Sequence, residues 1–256
     1  VTSIQDCTFL VYGERKIGKT SLCSQFEDAL VILFEPGGKG LRLMKTEITQ
    51  WAEFVRYVDL VLESDRFRTV VIDTADASYR RCYDAMMRKL GIEKPPENDY
   101  GATWGLINAE YERPMAKLMN SGRGVVFTSH AQLREIEGFQ KIIPSMPAGA
   151  RRYVSAAVDA TIYYGYFGKR RYLTVQGSEQ LDAGHRLKNN FWTAGEPRQR
   201  VHSIEAFDDK NPAFSEEETY ERLVAAFENR QAETGEPGVK STLTGASGRG
   251  NRATRR

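Results

Sequence analysis

Thr8-Phe9-Leu10-Val11-Tyr12-Gly13-Glu14-Arg15-Lys16-Ile17-Gly18-Lys19-Thr20-Ser21 passes from a β-prone apolar run, through a glycine-bounded turn, into residues of helical composition. Residues 13–20 match G-x-x-x-x-G-K-[ST] in full, with a buried strand before and a helix after, the context in which that motif holds phosphates. Gly13 and Gly18 let the backbone curl so that successive N–H groups point at an anion, with the positive end of the following helix behind them. Lys19 supplies a compact positive charge for the β- and γ-phosphates and Thr20 a hydroxyl for Mg²⁺. Glu14, Arg15, Lys16, Ile17 and Ser21 complete the nucleotide-binding loop. A chance glycine-rich turn would lack those flanks, so ATP and Mg²⁺ are the expected ligands.

Outward from this loop, short apolar runs alternate with helical stretches. Helical composition over 19–29 is followed by the run 30–34, closed by Glu35 and the breaker Pro36-Gly37-Gly38. Over 47–62, Ile48, Trp51, Phe54, Val55, Val58 and Leu62 recur at spacings of three and four, a core-facing helix stripe. Thr69-Val70-Val71-Ile72 reads as a third strand ending at Asp73, 91–105 as an exposed loop, 106–120 as a helix, and 125–129 as a fourth strand. Runs at 160–166 and 171–175 flank a turn and predict an edge hairpin, and 214–227 reads as a last helix with an acidic start. The expected fold is α/β, a mostly parallel sheet flanked by helices with an antiparallel edge hairpin. The expected division is a core over 1–205, a helical extension over 206–228, and a disordered basic tail over 229–256.

A phosphate site of this type needs an aspartate at the end of a neighbouring strand to anchor the Mg²⁺ shell. Asp73 fits. Asp76 lies beyond the apolar run and reads instead as a cap of the following helix. Thr74, not glutamate, follows Asp73, so either the carboxylate that activates water comes from elsewhere or hydrolysis is poor. Glu35, at the C-terminal end of another buried strand, is the candidate base, weighed against a solvated charge at a turn. His130 and Gln132, just past the fourth strand, are candidates to sense a γ-phosphate; for the histidine, a purely structural role is the competing reading.

The motif order, carried by residues 13–21, 30–35, 70–73 and 125–132, resembles the RecA-like recombinase ATPases. It is most similar to the compact phage-encoded RecA-like ATPases associated with single-strand annealing, the Sak type. The resemblance covers roughly residues 6–190. It implies ATP hydrolysis, assembly into a homo-oligomer, and DNA-binding loops after the sensor strand, here 133–153. Arg134, Phe139, Lys141, Arg151 and Arg152 in that stretch are the cations and the ring suited to single-stranded DNA, although Glu135 and Glu137 dilute the charge. It also implies a cation supplied by a neighbouring subunit, for which Arg186 and Lys188 are both candidates. The first strand begins almost at the N-terminus and no separate C-terminal DNA-binding domain is evident, so a ring or weaker assembly competes with a filament.

Composition narrows the remaining classes. With 41% hydrophobic residues among 256, the chain can bury a full core. Cys7, Cys23 and Cys82 form neither a disulfide pattern nor a metal cluster, and no apolar run is long enough to span a membrane, so a cytoplasmic setting (the host's, if phage-encoded) is expected. The net charge of +2 is too mild to demand nucleic acid. Three readings therefore compete: an ATP-dependent single-stranded-DNA protein, with a phage recombination or single-strand-binding protein as a possible partner; a nucleotide-dependent assembly or loading factor; and, less supported, a small-molecule kinase.

Overall fold

The computed structural model describes residues 3–136, 138–208 and 215–231. The predicted basic tail lies outside these residues beyond 231. In chain order the elements are β1 (Thr8–Gly13), α1 (Lys19–Cys23), β2 (Ala29–Leu33), β3 (Met44–Glu47), α2 (Trp51–Leu62), β4 (Thr69–Asp73), α3 (Ala75–Leu90) and α4 (Ala102–Met119). They continue with β5 (Gly124–Ile136), β6 (Phe139–Pro144), α5 (Ala148–Ala157), β7 (Ala160–Phe167), β8 (Arg170–Thr174), β9 (Gly184–His185), β10 (Ser203–Ala206) and α6 (Glu216–Phe227).

The sheet runs β10-β8-β7-β1-β5-β4-β2-β3. From β7 to β3 all neighbours are parallel, while β8 and β10 add an antiparallel edge. The central strands β1 and β4 are buried along their whole length, as continuous apolar runs in a doubly covered sheet must be. Alternate residues serve two cores. Leu10, Ile32, Val70 and Phe127 pack under α2, α3, α4 and α5, whereas Phe9, Val11, Val31 and Val71 pack under α1 and α6. Leu223 and Phe227 are buried in the second core, so α6 covers the sheet directly.

Three local expectations give way. The helix predicted over 19–29 stops at Cys23, because Phe26 leaves it to pack between Phe9 and Tyr220, at ring centroid distances of 5.8 and 5.0 Å. The helix predicted from Glu47 starts at Trp51, and Met44–Glu47 is an edge strand against β2 whose polar composition carries no strand pattern. The loops expected over 133–153 are instead a hairpin and a helix. β5 continues past its buried half and pairs antiparallel with β6, and α5 follows. Tyr12 pins the base of this hairpin, its hydroxyl donating to the Ile142 and Asp182 carbonyls at 3.2 and 2.6 Å. Among the described residues, no helix is long and apolar enough to cross a membrane.

Candidate functional site

The loop between β1 and α1 opens onto a cleft of about 700 Å³, within the size range of small-molecule sites. Its two glycines serve different ends. Gly18 has φ +108°, a left-handed conformation suited to glycine. Gly13 is needed for space, since a Cβ there would lie 2.0 Å from the Tyr164 carbonyl oxygen of β7. Lys19 is buried, and its ammonium donates to the carbonyls of Gly13 and Glu14 at 3.0 and 2.7 Å, closing the loop on itself. Burial lowers its pKa, opposed by Asp73 and other acidic neighbours including Asp76 and Glu35.

Asp73 ends β4 one strand away from its nearest β1 neighbour, because β5 is inserted between them. Its carboxylate accepts from the Thr20 hydroxyl at 2.7 Å and from Thr128 of β5. This pairing of a loop hydroxyl with a strand-end carboxylate is an all-oxygen donor set suited to Mg²⁺. The loop N–H groups, the Lys19 ammonium and the Thr20–Asp73 pair together fit a Mg²⁺-nucleoside triphosphate. Lys19 and the loop would hold the phosphates, and Thr20 and Asp73 the metal, which when bound neutralises charge on the phosphate oxygens.

Glu35 lies just beyond β2 on the same rim. Its carboxylate accepts from Thr74 Oγ1 at 3.3 Å and meets His130 Nε2 at 3.3 Å. The His130 hydrogen bond above all, with the nearby charges of His130 and Arg15 and the Thr74 bond, holds Glu35 below its ordinary value of 4.5 against the opposing effect of burial. It is thus a carboxylate at neutral pH, able to accept a proton. Asp76 is not the helix cap: the Thr74 hydroxyl caps α3 by accepting from the Ala77 N–H. Buried Asp76 instead accepts from the His130 N–H at 3.3 Å and from the Ser145 hydroxyl. His130 therefore sits between the cleft and the root of the β5–β6 hairpin, tied to Glu35 through its ring and to Asp76 through its backbone.

The other predicted residues are distributed unevenly. Arg15, Lys16, Gly18, Lys19, Thr20, Ser21, Glu35, Asp73 and His130 line one cleft. Gln132 does not line it; its amide donates to the Pro144 carbonyl across the hairpin at 3.4 Å. Arg186 is engaged with the Ala156 and Val158 carbonyls of its own chain, the latter at 2.7 Å, because it closes the turn after α5. Lys188 is exposed. Arg134, Lys141, Ile136 and Phe139 share one hairpin face, since Arg134 pairs with Lys141 and Ile136 with Phe139. Arg151 on α5 is near enough to Arg134 for that charge, after burial, to help lower its pKa, while Arg152 is felt instead by Tyr79 on α3. Thr74, Thr128, Arg171, Phe207 and Glu216 also belong to the site, yet no motif spacing marks them in the sequence.

A glycine-rich phosphate loop, a strand-end aspartate one strand removed, and a carboxylate on the adjoining strand end define a P-loop nucleoside triphosphatase domain. The family model for the AAA domain matches residues 5–187, and the chain belongs to that family of P-loop ATPases. No curated protein matches the sequence. Among solved structures, the chain is similar to the KaiC-like protein of the hyperthermophilic archaeon Pyrococcus horikoshii OT3, with 14% identity over 78% of this chain and 89% of that one. The TM-score is 0.45, and nothing about site or function is drawn from that likeness.

Proposed function

We propose that this domain hydrolyses ATP and acts with single-stranded DNA, in recombination or annealing of the phage type. The observation that carries the DNA reading is the hairpin face that joins Arg134 and Lys141 to the exposed Phe139 ring, with Arg151 of α5 within reach of the Arg134 charge. Cations that neutralise phosphates next to a ring that stacks on bases suit a flexible single strand. Glu35 takes the proton of the attacking water, Lys19 stabilises charge on the transferred phosphate, and Thr20 and Asp73 hold Mg²⁺. His130 links the two sites, since it touches Glu35 and shares Asp76 with Ser145 of the hairpin root. In a homo-oligomer, exposed Lys188 is the more available trans-acting cation, because Arg186 is already engaged.

The opposite hairpin face, where Leu133 is 64% exposed beside Glu135, favours the second reading, a nucleotide-dependent assembly factor that docks on a protein. One experiment separates the two. ATP turnover is measured for wild type, Lys19→Ala, Glu35→Gln and the double variant Phe139→Ala/Lys141→Ala, with and without single-stranded DNA at two salt concentrations. The DNA reading expects DNA to stimulate the wild type, Lys19→Ala and Glu35→Gln to lose turnover, and the hairpin variant to keep basal turnover but lose the stimulation. Turnover indifferent to DNA in the wild type would refute it in favour of the assembly factor.

A further inference from the structure

The cleft extends past the phosphate loop to a side of the sheet that none of these roles uses. Glu35, Asp73 and His130 stand on the β2, β4 and β5 side of β1 and fix where a terminal phosphate and its metal would lie. On the other side of β1, the same cleft is lined by Arg171 of β8, Phe207 directly after β10, and Glu216 in the first turn of α6. A triphosphate lying along the loop with its terminal phosphate toward Asp73 sends its nucleoside toward this second side. We propose that Phe207, Arg171 and Glu216 form the nucleobase subsite, with the Phe207 ring as the surface on which the base stacks. The inference rests on the reading that ATP occupies the loop.

The subsite is held in place by both of its neighbouring elements. The Phe207 N–H donates to Thr219 Oγ1 at 2.7 Å, and buried Thr219 in turn donates to the Ser215 carbonyl at 3.2 Å, anchoring Phe207 to the start of α6. On the other side Ala206 pairs with Arg171 in the β8–β10 ladder. Among the described residues, Phe207 packs into neither apolar core, and its ring is half-buried at the cleft wall. A large aromatic residue kept out of both cores and fixed by its backbone is suited to receiving a planar ligand.

Arg171 gives the wall its charge and its link to the phosphates. Its side chain is 9% exposed; Nε donates to the Tyr166 hydroxyl at 3.0 Å and lies 3.6 Å from Asp208, while Nη1 donates to the Ile17 carbonyl at 3.4 Å. Ile17 belongs to the phosphate loop, so Arg171 is a positioning residue that ties the loop to the base-binding wall. An aromatic ring, a nearly buried guanidinium and the Glu216 carboxylate together suit a flat ligand that carries both π faces and N–H donors, which describes a nucleobase.

The test compares ATP with inorganic tripolyphosphate, which has the phosphates but no base. Calorimetric titration of the full chain with Mg²⁺ is made for wild type, Phe207→Ala, Phe207→Trp and Lys19→Ala. The subsite predicts that Phe207→Ala weakens ATP about tenfold, leaves tripolyphosphate within about twofold, and that Phe207→Trp recovers ATP affinity. Retained tripolyphosphate binding also reports an intact fold. Equal weakening of both ligands by Phe207→Ala, or unchanged ATP affinity, would overturn the subsite. Lys19→Ala leaving both ligands unaffected would instead overturn the placement of ATP at the loop.

Discussion

Replacing Gly13 by alanine tests how the phosphate loop is built into the sheet. The added Cβ would lie 2.0 Å from the Tyr164 carbonyl oxygen and 3.0 Å from its carbon. Both atoms are backbone of β7, in register with Gly13 across a parallel ladder, so no side-chain rotation relieves the contact. Reaching even a tight 3.0 Å separation from the oxygen requires β1 and β7 to part by about 1 Å, and overpacking of this kind costs about 3 kcal/mol at the upper end of its usual range. For a domain of this size that corresponds to a fall in Tm of about 6–12 °C. The same shift pulls loop N–H groups away from the phosphates, so ATP affinity should fall about tenfold or more. Gly105→Ala is the control: nothing lies within 4 Å of its Cβ position inside α4, and it should stabilise by about 0.5–1 kcal/mol. Thermal and urea unfolding with calorimetric ATP titration make the measurement. A Gly13→Ala protein that melts within about 1 °C of wild type and binds ATP normally would refute the close approach of the two strands.

Two further outcomes follow from the site. His130→Ala removes the largest of the effects that hold Glu35 below 4.5, so the acid limb of the pH–turnover profile should move to higher pH, and an unmoved limb would exclude Glu35 as the base. The sign for stability agrees: a depressed carboxylate contributes stability above its ordinary value that is lost as pH falls through the depressed one, and His130→Ala should narrow that contribution. Asp73→Asn faces an amide toward two hydroxyl donors, Thr20 and Thr128, and takes away the only charged group of the donor pair. ATP binding should then be equal with Mg²⁺ and with EDTA, and a retained Mg²⁺ dependence in titration would remove Asp73 from the metal shell.

The phosphate loop and the buried strands were legible because their signals are local. A glycine-bounded loop between an apolar run and a helix has few other solutions, and strands buried on both faces must read as unbroken apolar runs. Glu35 was legible by its place at a strand end. Where the determinant is a long-range contact, the sequence is silent. Phe26 ends α1 by packing against Tyr220, nearly two hundred residues away, and β3 forms from Met-Lys-Thr-Glu only because β2 offers an open edge. The hairpin was obscured because β5 changes partners midway, from the buried ladders with β4 and β1 that run to His130 to β6 from Ala131 onward. The carbonyl partners of Gln132 and Arg186 were illegible for a related reason: proximity to a strand end says nothing of the carbonyl a side chain will find nearby.

The β5–β6 hairpin also imposes a rule of parity. Arg134, Ile136, Phe139 and Lys141 face one way because each strand alternates sides, so a two-residue insertion in both arms lengthens the hairpin by about 7 Å and leaves that face intact. A single residue added to β5 between His130 and Arg134 would turn Arg134 to the side now held by Leu133 and Glu135 and part it from Lys141 on β6, with composition and net charge almost unchanged. Length variants in steps of one and two residues would thus separate a surface that must face one direction from one that merely carries charge.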